Sequence, residues 1–352
     1  MEVNVYDLLD IYEKEVSRNT KNKRKISNFE RHKMINIYDI KNIIEEGNYK
    51  VDRYNIFNIS RPKYRIVMSL NIKDKIINHY VARNILINKL DKYLDIRNVA
   101  TRVNMGYDYG IKLLIKYLNE YKKYDRFYIL RIDISKYFYS IDHNILKDML
   151  KGKLSSDEYR IICSILDSTN EEYVNDEITY IKSMLIGRDR KRISEIDKLP
   201  IYEYGMGLPI GNMTSQFLSI YYLYKLDHYI VNDLGLKHMV KYMDDYVILC
   251  RDREYLRYVK DIIIDKLNIE YKLRINEKKT FIIDSVNGFE FLGYRYRVIN
   301  NKIYISIKSE NKRRRNNNIK KNDCLYSNGF IDYKRYFNSM NNCMNNYKYI
   351  RR

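Results

Sequence analysis

Runs of apolar residues predict buried strands at two places in the chain, and carboxylates interrupt or end both runs. The run "RFYILRIDIS" at 126–135 is rich in β-branched residues and carries Asp133 near its end. The run "KHMVKYMDDYVILC" at 237–250 has two apolar halves separated by Asp244 and Asp245, which predicts a strand, a tight turn and a second strand. Carboxylates are therefore expected where buried strands end.

Apolar spacing predicts the remaining elements as well. The charged segment 187–199 is expected to be an exposed connection, and 54–70 to be two short strands joined by a basic turn. Two further strand pairs are expected near 271–285 and 289–307, and two helices in the tail 309–352. Strands that alternate with helices and carry acids at their ends indicate an α+β layer, a sheet covered by helices on one side. Helices are predicted near residues 5–17, 26–46, 73–90, 108–122, 155–168, 211–231 and 253–268, with Ser140 or Asp142 as the cap of another.

Composition narrows the functional classes. Hydrophobic residues make up 45% of the 352 residues, enough for a sizeable core. No window reaches the roughly 18 uninterrupted apolar residues of a membrane span, so a soluble, cytoplasmic protein without membrane contact is expected. The formal charge of +20 favours a nucleic-acid partner, and the tail 309–352 carries 11 Lys or Arg against 3 acidic residues. AT-rich codon usage is another explanation for the abundant Lys, Asn, Ile and Tyr, so the 38 tyrosines are not interpreted as a base-stacking surface.

The paired carboxylates suggest metal chemistry if the two strand regions are neighbours. Asp133 and Asp244 would then converge and offer the oxygen ligands that Mg²⁺ prefers, together with substrate phosphates. Two such ions, roughly 3.5–4 Å apart, can hold the attacking and leaving oxygens of a phosphoryl transfer. The alternative is that Asp244-Asp245 is an ordinary turn pair and that Asp133 initiates a helix.

Three other motifs each have a functional and a structural interpretation. "GMGLPIGNMTSQ" at 205–216 is a Gly-rich loop before a helix, suited to a nucleotide or to a plain turn and cap. Arg61, Lys63 and Arg65 on the basic hairpin could fold over a triphosphate or form a solvated turn. The pair Lys278-Lys279 could lie near a leaving pyrophosphate or simply on the surface.

The order of these motifs resembles that of the reverse transcriptases over about residues 49–310. By this resemblance Asp133 in "RIDISKYFYSIDH" is the first metal-binding aspartate, with the backbone of Ile134 beside it. In "YMDD", Asp244 is the second metal ligand and Asp245 the supporting acid.

The resemblance also implies roles for residues that handle the substrates. Lys279 in "INEKKT" matches a catalytic lysine that protonates pyrophosphate, and Phe138 matches an aromatic gate that excludes a ribose 2′-hydroxyl. The nucleotide-binding set is Lys63, Arg65, Phe138, Ile210, Gly211 and Gln216. The primer-grip set in "FEFLGYRY" is Phe291, Leu292, Gly293 and Tyr294, and the nucleic-acid-binding set of the tail is Arg313, Arg314, Arg315 and Lys320.

One departure from the common pattern concerns the loop "GLPIGNMTSQ". Many reverse transcriptases have Gln where this chain has Ile210, and the form "IGNxTSQ" looks like the bacterial and phage enzymes of diversity-generating retroelements. Those enzymes misincorporate opposite template adenines, and an isoleucine side chain cannot hydrogen-bond an incoming nucleotide. Stand-alone reverse transcriptases of bacterial antiphage defence are the alternative.

The resemblance implies a right-hand polymerase fold with an antiparallel palm sheet. The expected domains are an N-terminal helical segment at 1–48, fingers at 49–130, a palm at 131–296 and a short basic thumb at 297–352. Residues 150–204 are expected to be part of an insertion that returns to the fingers.

The implied function is RNA-directed DNA polymerisation with two Mg²⁺, for which Mn²⁺ can substitute. The expected partners are an RNA template, its cDNA product and dNTPs, with a structured noncoding RNA, an accessory protein or a second copy of the chain as a clamp. The favoured role is error-prone synthesis in a diversity-generating retroelement. The alternatives are defence by copying a noncoding RNA or by protein-primed or untemplated synthesis, an RNA-dependent RNA polymerase, and a non-catalytic RNA-binding scaffold.

Overall fold

The computed structural model describes residues 2–61, 63–344 and 349–350. These residues form nine strands, all paired antiparallel. The strands are β1 Asn55–Ile59, β2 Arg65–Ser69, β3 Tyr128–Asp133, β4 Met239–Tyr242, β5 Asp245–Cys250, β6 Phe281–Asp284, β7 Phe289–Phe291, β8 Tyr294–Ile299 and β9 Lys302–Ile307.

The described residues also form sixteen α-helices, several of which continue into short π-helical or 3-10 turns. The helices are α1 Val5–Ile11, α2 Lys23–Glu30, α3 Lys33–Glu46, α4 Ile72–Tyr80, α5 Asn88–Leu90, α6 Tyr107–Tyr121, α7 Tyr137–Ser140, α8 His143–Leu150, α9 Ser156–Asp167, α10 Glu172–Arg188, α11 Ile193–Ile196, α12 Met213–Tyr222, α13 Tyr224–His228, α14 Arg253–Tyr271, α15 Ser309–Ser327 and α16 Tyr333–Met344. Among the described residues, no helix is both long and apolar enough to cross a membrane.

The chain divides into two compact units, each built from separated segments. The first unit comprises residues 1–102, 134–229 and 264–275. The second unit comprises residues 103–133, 230–263 and 276–352.

A four-stranded sheet in the second unit has the strand order β4-β5-β3-β6. β5 and β3 are the two inner strands, and Ile129, Leu130 and Ile132 of β3 are fully buried. Helix α6 packs against β4, and the Tyr121 hydroxyl of α6 donates to the Leu249 carbonyl of β5 at 3.3 Å. The predicted strand at 126–135 and the predicted strand-turn-strand at 237–250 are confirmed.

The last three strands form a separate antiparallel sheet in the order β7-β8-β9. Its two turns have two residues each, Leu292-Gly293 and Asn300-Asn301, all with positive φ. Positive φ at both central residues gives a turn whose twist matches that of the flanking strands. The expected strand pair near 289–307 is therefore a three-stranded meander. The two predicted tail helices are confirmed as α15 and α16.

In the first unit β1 and β2 form the predicted hairpin, and the charged segment after α10 packs against its turn. The Tyr64 hydroxyl donates to Asp189 at 2.9 Å, and its backbone N–H donates to Glu195 at 3.0 Å. The Arg192 guanidinium lies 4.2 Å from the centroid of the Tyr64 ring. The expectation of an exposed connection at 187–199 is confirmed in part: seven of these residues are exposed, but short helical turns bury Ile196 and Leu199 and support the hairpin.

Three other sequence predictions need correction. The helix expected at 26–46 is interrupted at Arg31-His32, and the one expected at 211–231 is interrupted at Leu223. Only β6 forms in the expected strand pair near 271–285, because residues 276–280 bond to Asp133 instead of pairing as a strand. Asp142, one of the two proposed caps, accepts from Ile145 N–H at 3.1 Å and begins α8.

Candidate functional site

A two-residue turn places Asp244 and Asp245 at one end of the four-stranded sheet. Tyr242 of β4 pairs with Asp245 of β5, which leaves Met243 and Asp244 as the turn. Met243 has a φ of 58°, a conformation that non-glycine residues seldom adopt. Such strain, of order 1–3 kcal/mol, persists where the surrounding structure enforces it and is concentrated at functional sites.

Asp133 lies at the same end of the sheet. It is the last residue of β3, and the register of β3 on β5 sets its Cα directly opposite that of Asp245. The antiparallel pairing of these two strands thus brings Asp133, Asp244 and Asp245 together, although about 110 residues separate the first from the other two.

The electrostatics of the site show the cost of grouping these carboxylates. Burial raises the pKa of Asp244 to about 6, and repulsion from Asp133 and Asp245 adds to the rise. Burial also raises the pKa of Asp245, and the Arg131 guanidinium opposes that rise. One Arg131 nitrogen lies 2.6 Å from both carboxylate oxygens of Asp245.

Residues 276–280 surround Asp133 with donors. Lys279 Nζ donates to Asp133 Oδ1 at 2.7 Å, and Asn276 Nδ2 donates to Oδ2 at 3.0 Å. The Asn276 backbone N–H donates to the Asp133 carbonyl at 2.7 Å, and the Asp133 N–H donates to Thr280 Oγ1 at 3.3 Å. The carboxylate is therefore fixed in place from two directions.

The donor set fits a hard divalent cation. Asp133 and Asp244 supply oxygen ligands, and Mg²⁺ is usually held by one or two carboxylates while substrate phosphates and water complete its shell. Across residues 2–61, 63–344 and 349–350, no group of three or more His, Cys, Asp or Glu is arranged to hold a metal by itself. The backbone of Ile134, the other expected ligand, forms an isolated bridge with Ile275.

A cleft of about 510 Å³ connects the acids to the expected primer-grip hairpin. Asp133, Asp245 and Lys279 line it together with residues 288–293. The turn of that hairpin is anchored within the second unit, because the Tyr107 hydroxyl donates to the Leu292 carbonyl at 2.6 Å. Of the primer-grip set, Phe291, Leu292 and Gly293 line the cleft, and Tyr294 is buried in β8.

The expected nucleotide-binding residues all lie in the first unit. Ile210 is half-buried, and its carbonyl accepts from the Met68 N–H at 2.9 Å. Gly211 has a φ of 110°, and a Cβ there would lie 2.9 Å from the Val67 side chain, so the loop needs glycine to lie against the strand. Arg65 begins β2 with an exposed side chain. Lys63, in the hairpin turn, is also exposed, and Gln216 is half-buried in α12.

Phe138 is tied to the same loop. Its carbonyl accepts from the Leu208 N–H at 2.7 Å, and the Ile141 carbonyl accepts from the Gly207 N–H at 2.8 Å. His143 adds a ring nitrogen 2.7 Å from the Gly207 carbonyl. The segment that carries the expected sugar gate and the loop that carries Ile210 therefore form one hydrogen-bonded substructure.

The basic residues of the tail lie on α15. Arg313, Arg314 and Lys320 are exposed, and Arg315 is half-buried. Arg314 and Arg315 line a groove of about 710 Å³ that also includes Gly293 and Tyr294 of the hairpin. The remaining tail residues 345–348 and 351–352 lie outside the described residues.

Sequence reasoning missed several residues that build the site. Arg131 carried a signal, because it stands two positions before Asp133 in a strand and so shares its face. Asn276, Tyr107 and His143 carried none, since their partners are backbone or carboxylate groups brought near only by folding.

Comparison with solved structures finds telomerases at low sequence identity. The apo telomerase of Candida tropicalis has a TM-score of 0.48 and 14% identity over 72% of this chain. A form truncated from its C-terminal domain has a TM-score of 0.49 and 15% identity over 78% of this chain. Candida albicans telomerase in complex with a TWJ fragment of telomeric RNA has a TM-score of 0.46 and 13% identity over 75% of this chain. The chain spans 48%, 60% and 46% of these proteins, respectively, and no curated protein sequence matches it significantly.

The family described as reverse transcriptase (RNA-dependent DNA polymerase) matches residues 56–296. That span includes the three aspartates, Lys279, the nucleotide-loop residues and the hairpin 291–294. The expected α+β right-hand polymerase fold and the expected enzyme class, an RNA-directed DNA polymerase and hence a nucleotidyltransferase, are confirmed at the level of the family. The match covers well over half of the sequence, and the chain therefore belongs to the reverse transcriptase family.

Proposed function

We propose that this chain copies an RNA template into cDNA by metal-assisted nucleotidyl transfer at Asp133, Asp244 and Asp245. The observation that carries the proposal is the placement of Asp133 and Asp244 at one end of the antiparallel sheet, with the pKa of Asp244 raised to about 6 by burial and by Asp133. Folding alone gains nothing from this repulsion, whereas a bound cation would relieve it.

The proposed cofactors are two Mg²⁺ ions, for which Mn²⁺ can substitute. When bound, such ions activate a primer 3′-hydroxyl and neutralise the charge of the triphosphate. Asp133, Asp244 and the Ile134 carbonyl are the proposed ligands, with Asp245 as the supporting acid. The primer 3′-hydroxyl would lose its proton to water, and its oxygen would bond to the α-phosphorus as the bond from that phosphorus to the pyrophosphate oxygen breaks. Lys279 is the proposed proton donor to that leaving group.

The first unit supplies the proposed selection of the incoming nucleotide. Arg65 and Lys63 have exposed cationic side chains suited to a triphosphate. Phe138 is the proposed gate against a 2′-hydroxyl, and its segment is hydrogen-bonded to the loop of Ile210. Gly211 and Gln216 complete the proposed contacts of that loop.

Ile210 supports the finer proposal of error-prone synthesis in a diversity-generating retroelement. Its carbonyl is fixed to β2, so the loop backbone is held, but its side chain offers no hydrogen-bonding group. Base selection then rests on shape and stacking, which discriminate less than a hydrogen bond that a wrong base leaves unmade. The alternative role is antiphage defence, in which the chain copies a noncoding RNA or makes protein-primed or untemplated DNA.

The proposed partners follow from the charge of the chain. An RNA template, its cDNA and dNTPs are polyanions, and the exposed Arg313, Arg314 and Lys320 on α15 suit phosphate contacts. A structured noncoding RNA, an accessory protein or a second copy of the chain is the proposed clamp.

The direct test is incorporation of dNTPs on a primed RNA template with Mg²⁺ or Mn²⁺. Asp244→Asn and Asp133→Asn should abolish incorporation, while Asp284→Asn, a matched change elsewhere in the same sheet, should not. Equal inactivity of the wild type and the Asp244→Asn variant on several templates would instead support the non-catalytic RNA-binding scaffold. Equal use of rNTPs and dNTPs would support an RNA-dependent RNA polymerase.

A further inference from the structure

The helix α12, which follows the loop of Ile210, begins without a cap from its own sequence. Asn212 precedes α12, but among the residues that the structure describes its side chain makes no capping hydrogen bond to the first turn. The first backbone N–H groups of a helix have no partner within the helix, and leaving them unpaired in a protein core is costly. The cap therefore has to come from another part of the chain.

Asn78 of α4 provides this cap. Its Oδ1 accepts from the Thr214 N–H at 3.1 Å, and its Nδ2 donates to Thr214 Oγ1 at 3.0 Å. Asn78 is 2% exposed and Thr214 is fully buried, although 136 positions separate them in the sequence. A buried polar pair of this kind favours one arrangement over its alternatives, because any shift that breaks the bonds leaves buried groups unpaired.

The chain segment that carries Asn78 also holds the other end of the loop. Met68 lies in β2, the strand just before α4, and its N–H donates to the Ile210 carbonyl at 2.9 Å. One continuous segment, β2 followed by α4, thus binds the loop at Ile210 and again at Thr214. Gln216, another of the expected nucleotide contacts, lies in the helix that Asn78 caps.

We propose that Asn78 is a positioning residue for nucleotide selection, which acts by holding Thr214 and thereby fixing the loop that begins at Ile210. This inference rests on the proposed polymerase function. Asn78 is buried in α4 and acts through the loop, without touching the nucleotide. A loop that is already ordered binds its ligand more tightly than a mobile one, because binding does not have to order it.

The first test measures amide hydrogen exchange in the full-length chain, with a metal chelator and without nucleotide. Asn78→Leu preserves the approximate size of the side chain and removes both bonds, so amides 210–214 should exchange about two- to tenfold faster than in the wild type. Asn98→Leu is the matched control. Asn98 is also fully buried, and its Nδ2 donates to the Ile220 carbonyl at 3.2 Å, towards the other end of α12. The control should leave the exchange of amides 210–214 unchanged.

The second test measures KM and kcat for addition of one matched dNTP to a primed RNA template. Asn78→Leu should raise KM about two- to tenfold and leave kcat nearly unchanged, because ordering the loop now opposes nucleotide binding. A purely structural defect would reduce the amount of folded enzyme, which lowers the apparent kcat without changing KM. Asn98→Leu should show at most that second pattern.

Thr214 allows the bond to be restored by a conservative change. Thr214→Val has the same shape but lacks the hydroxyl that accepts from Asn78, whereas Thr214→Ser keeps it. The valine variant should change exchange and KM in the same direction as Asn78→Leu, and the serine variant should resemble the wild type. Combining Thr214→Val with Asn78→Leu should have less than the summed effect. The two Thr214 variants also decide the matter if Asn78→Leu does not fold.

Unchanged exchange of amides 210–214 in Asn78→Leu and Thr214→Val would overturn the positioning role. Faster exchange with an unchanged KM would show that Asn78 holds the loop but would overturn its part in nucleotide selection. The exchange test needs no catalysis, so the two proposals fail in different ways. An inert wild type would refute polymerisation and selection together, while the exchange rates would still report whether Asn78 holds the loop.

Discussion

Arg131 and Asp245 form an ion pair on adjacent strands, in which one guanidinium nitrogen lies 2.6 Å from both carboxylate oxygens. Both side chains are largely buried, with exposed fractions of 11% and 24%. Arg131 opposes the rise that burial causes in the pKa of Asp245, and the pair ties β3 to β5 next to the site.

Arg131→Met should therefore leave a largely buried carboxylate without its counter-ion. We expect the free energy of unfolding at pH 7 to fall by about 1–3 kcal/mol, measured by urea denaturation. Arg126→Met is the matched control in the same sheet region, because Arg126 pairs with Asp284 but is 67% exposed. That change should cost less than about 1 kcal/mol, and equal losses in the two variants would contradict the argument.

The raised pKa of Asp244 predicts how the stability of the metal-free protein depends on pH, measured in the presence of a metal chelator. The folded protein holds the proton up to a pH of about 6, whereas the unfolded chain releases it near 3.8, so stability falls as pH rises through this window. Asp244→Asn should be more stable than the wild type above pH 6 by about 3 kcal/mol and similar to it below pH 4.

Asp284→Asn provides the control of opposite sign. The Arg126 ion pair and the Val286 N–H lower the pKa of Asp284, so its charged form stabilises the fold. This variant should lose stability above pH 4 rather than gain it. A wild type whose stability did not differ from that of Asp244→Asn at any pH would show that Asp244 is not repelled.

Phe138→Ala should admit ribonucleotides. Removing the ring opens the space that a 2′-hydroxyl would need, and we expect the ratio of rNTP to dNTP incorporation to rise at least about tenfold in primer extension. Tyr304→Ala, a comparable truncation of an exposed ring on β9, should leave the ratio unchanged. An unchanged ratio in a Phe138→Ala variant that still extends the primer would argue against a gate.

Ile210→Gln should make copying more faithful at template adenines. A side-chain amide could hydrogen-bond the incoming nucleotide, and one such bond is worth about 0.5–1.5 kcal/mol, or about two- to tenfold in error rate. Deep sequencing of cDNA measures the effect. Ile201→Gln, the same change at an exposed residue nearby in sequence, is the control, and identical spectra for both variants would refute the role of Ile210.

The core of the site was predictable because two simple patterns define it. β3, β4 and β5 are short apolar runs bounded by Asp133, Asp244 and Asp245, and period-2 alternation also places Arg131 on the Asp133 face. The sequence alone left it a hypothesis that these strands are neighbours in one sheet, and the pairing of β5 with β3 and β4 shows that they are.

Other elements gave weaker signals. The buried positions of α10 are Val174, Ile178 and Leu185, too sparse for a recognisable helical stripe, and this helix was not predicted. The break at Leu223 has no Pro or Gly to mark it.

The bond between Lys279 and Asp133 has a consequence for how the site is loaded. Any divalent ion that binds Asp133 Oδ1 must compete with an ammonium group already 2.7 Å from that oxygen. Loading would then be an exchange of one cation for another, and the displaced lysine would be free to meet an arriving triphosphate. The metal and the nucleotide would thereby favour each other's binding. Lys279 would couple them, because the metal would displace its ammonium group from Asp133 and the triphosphate would attract it.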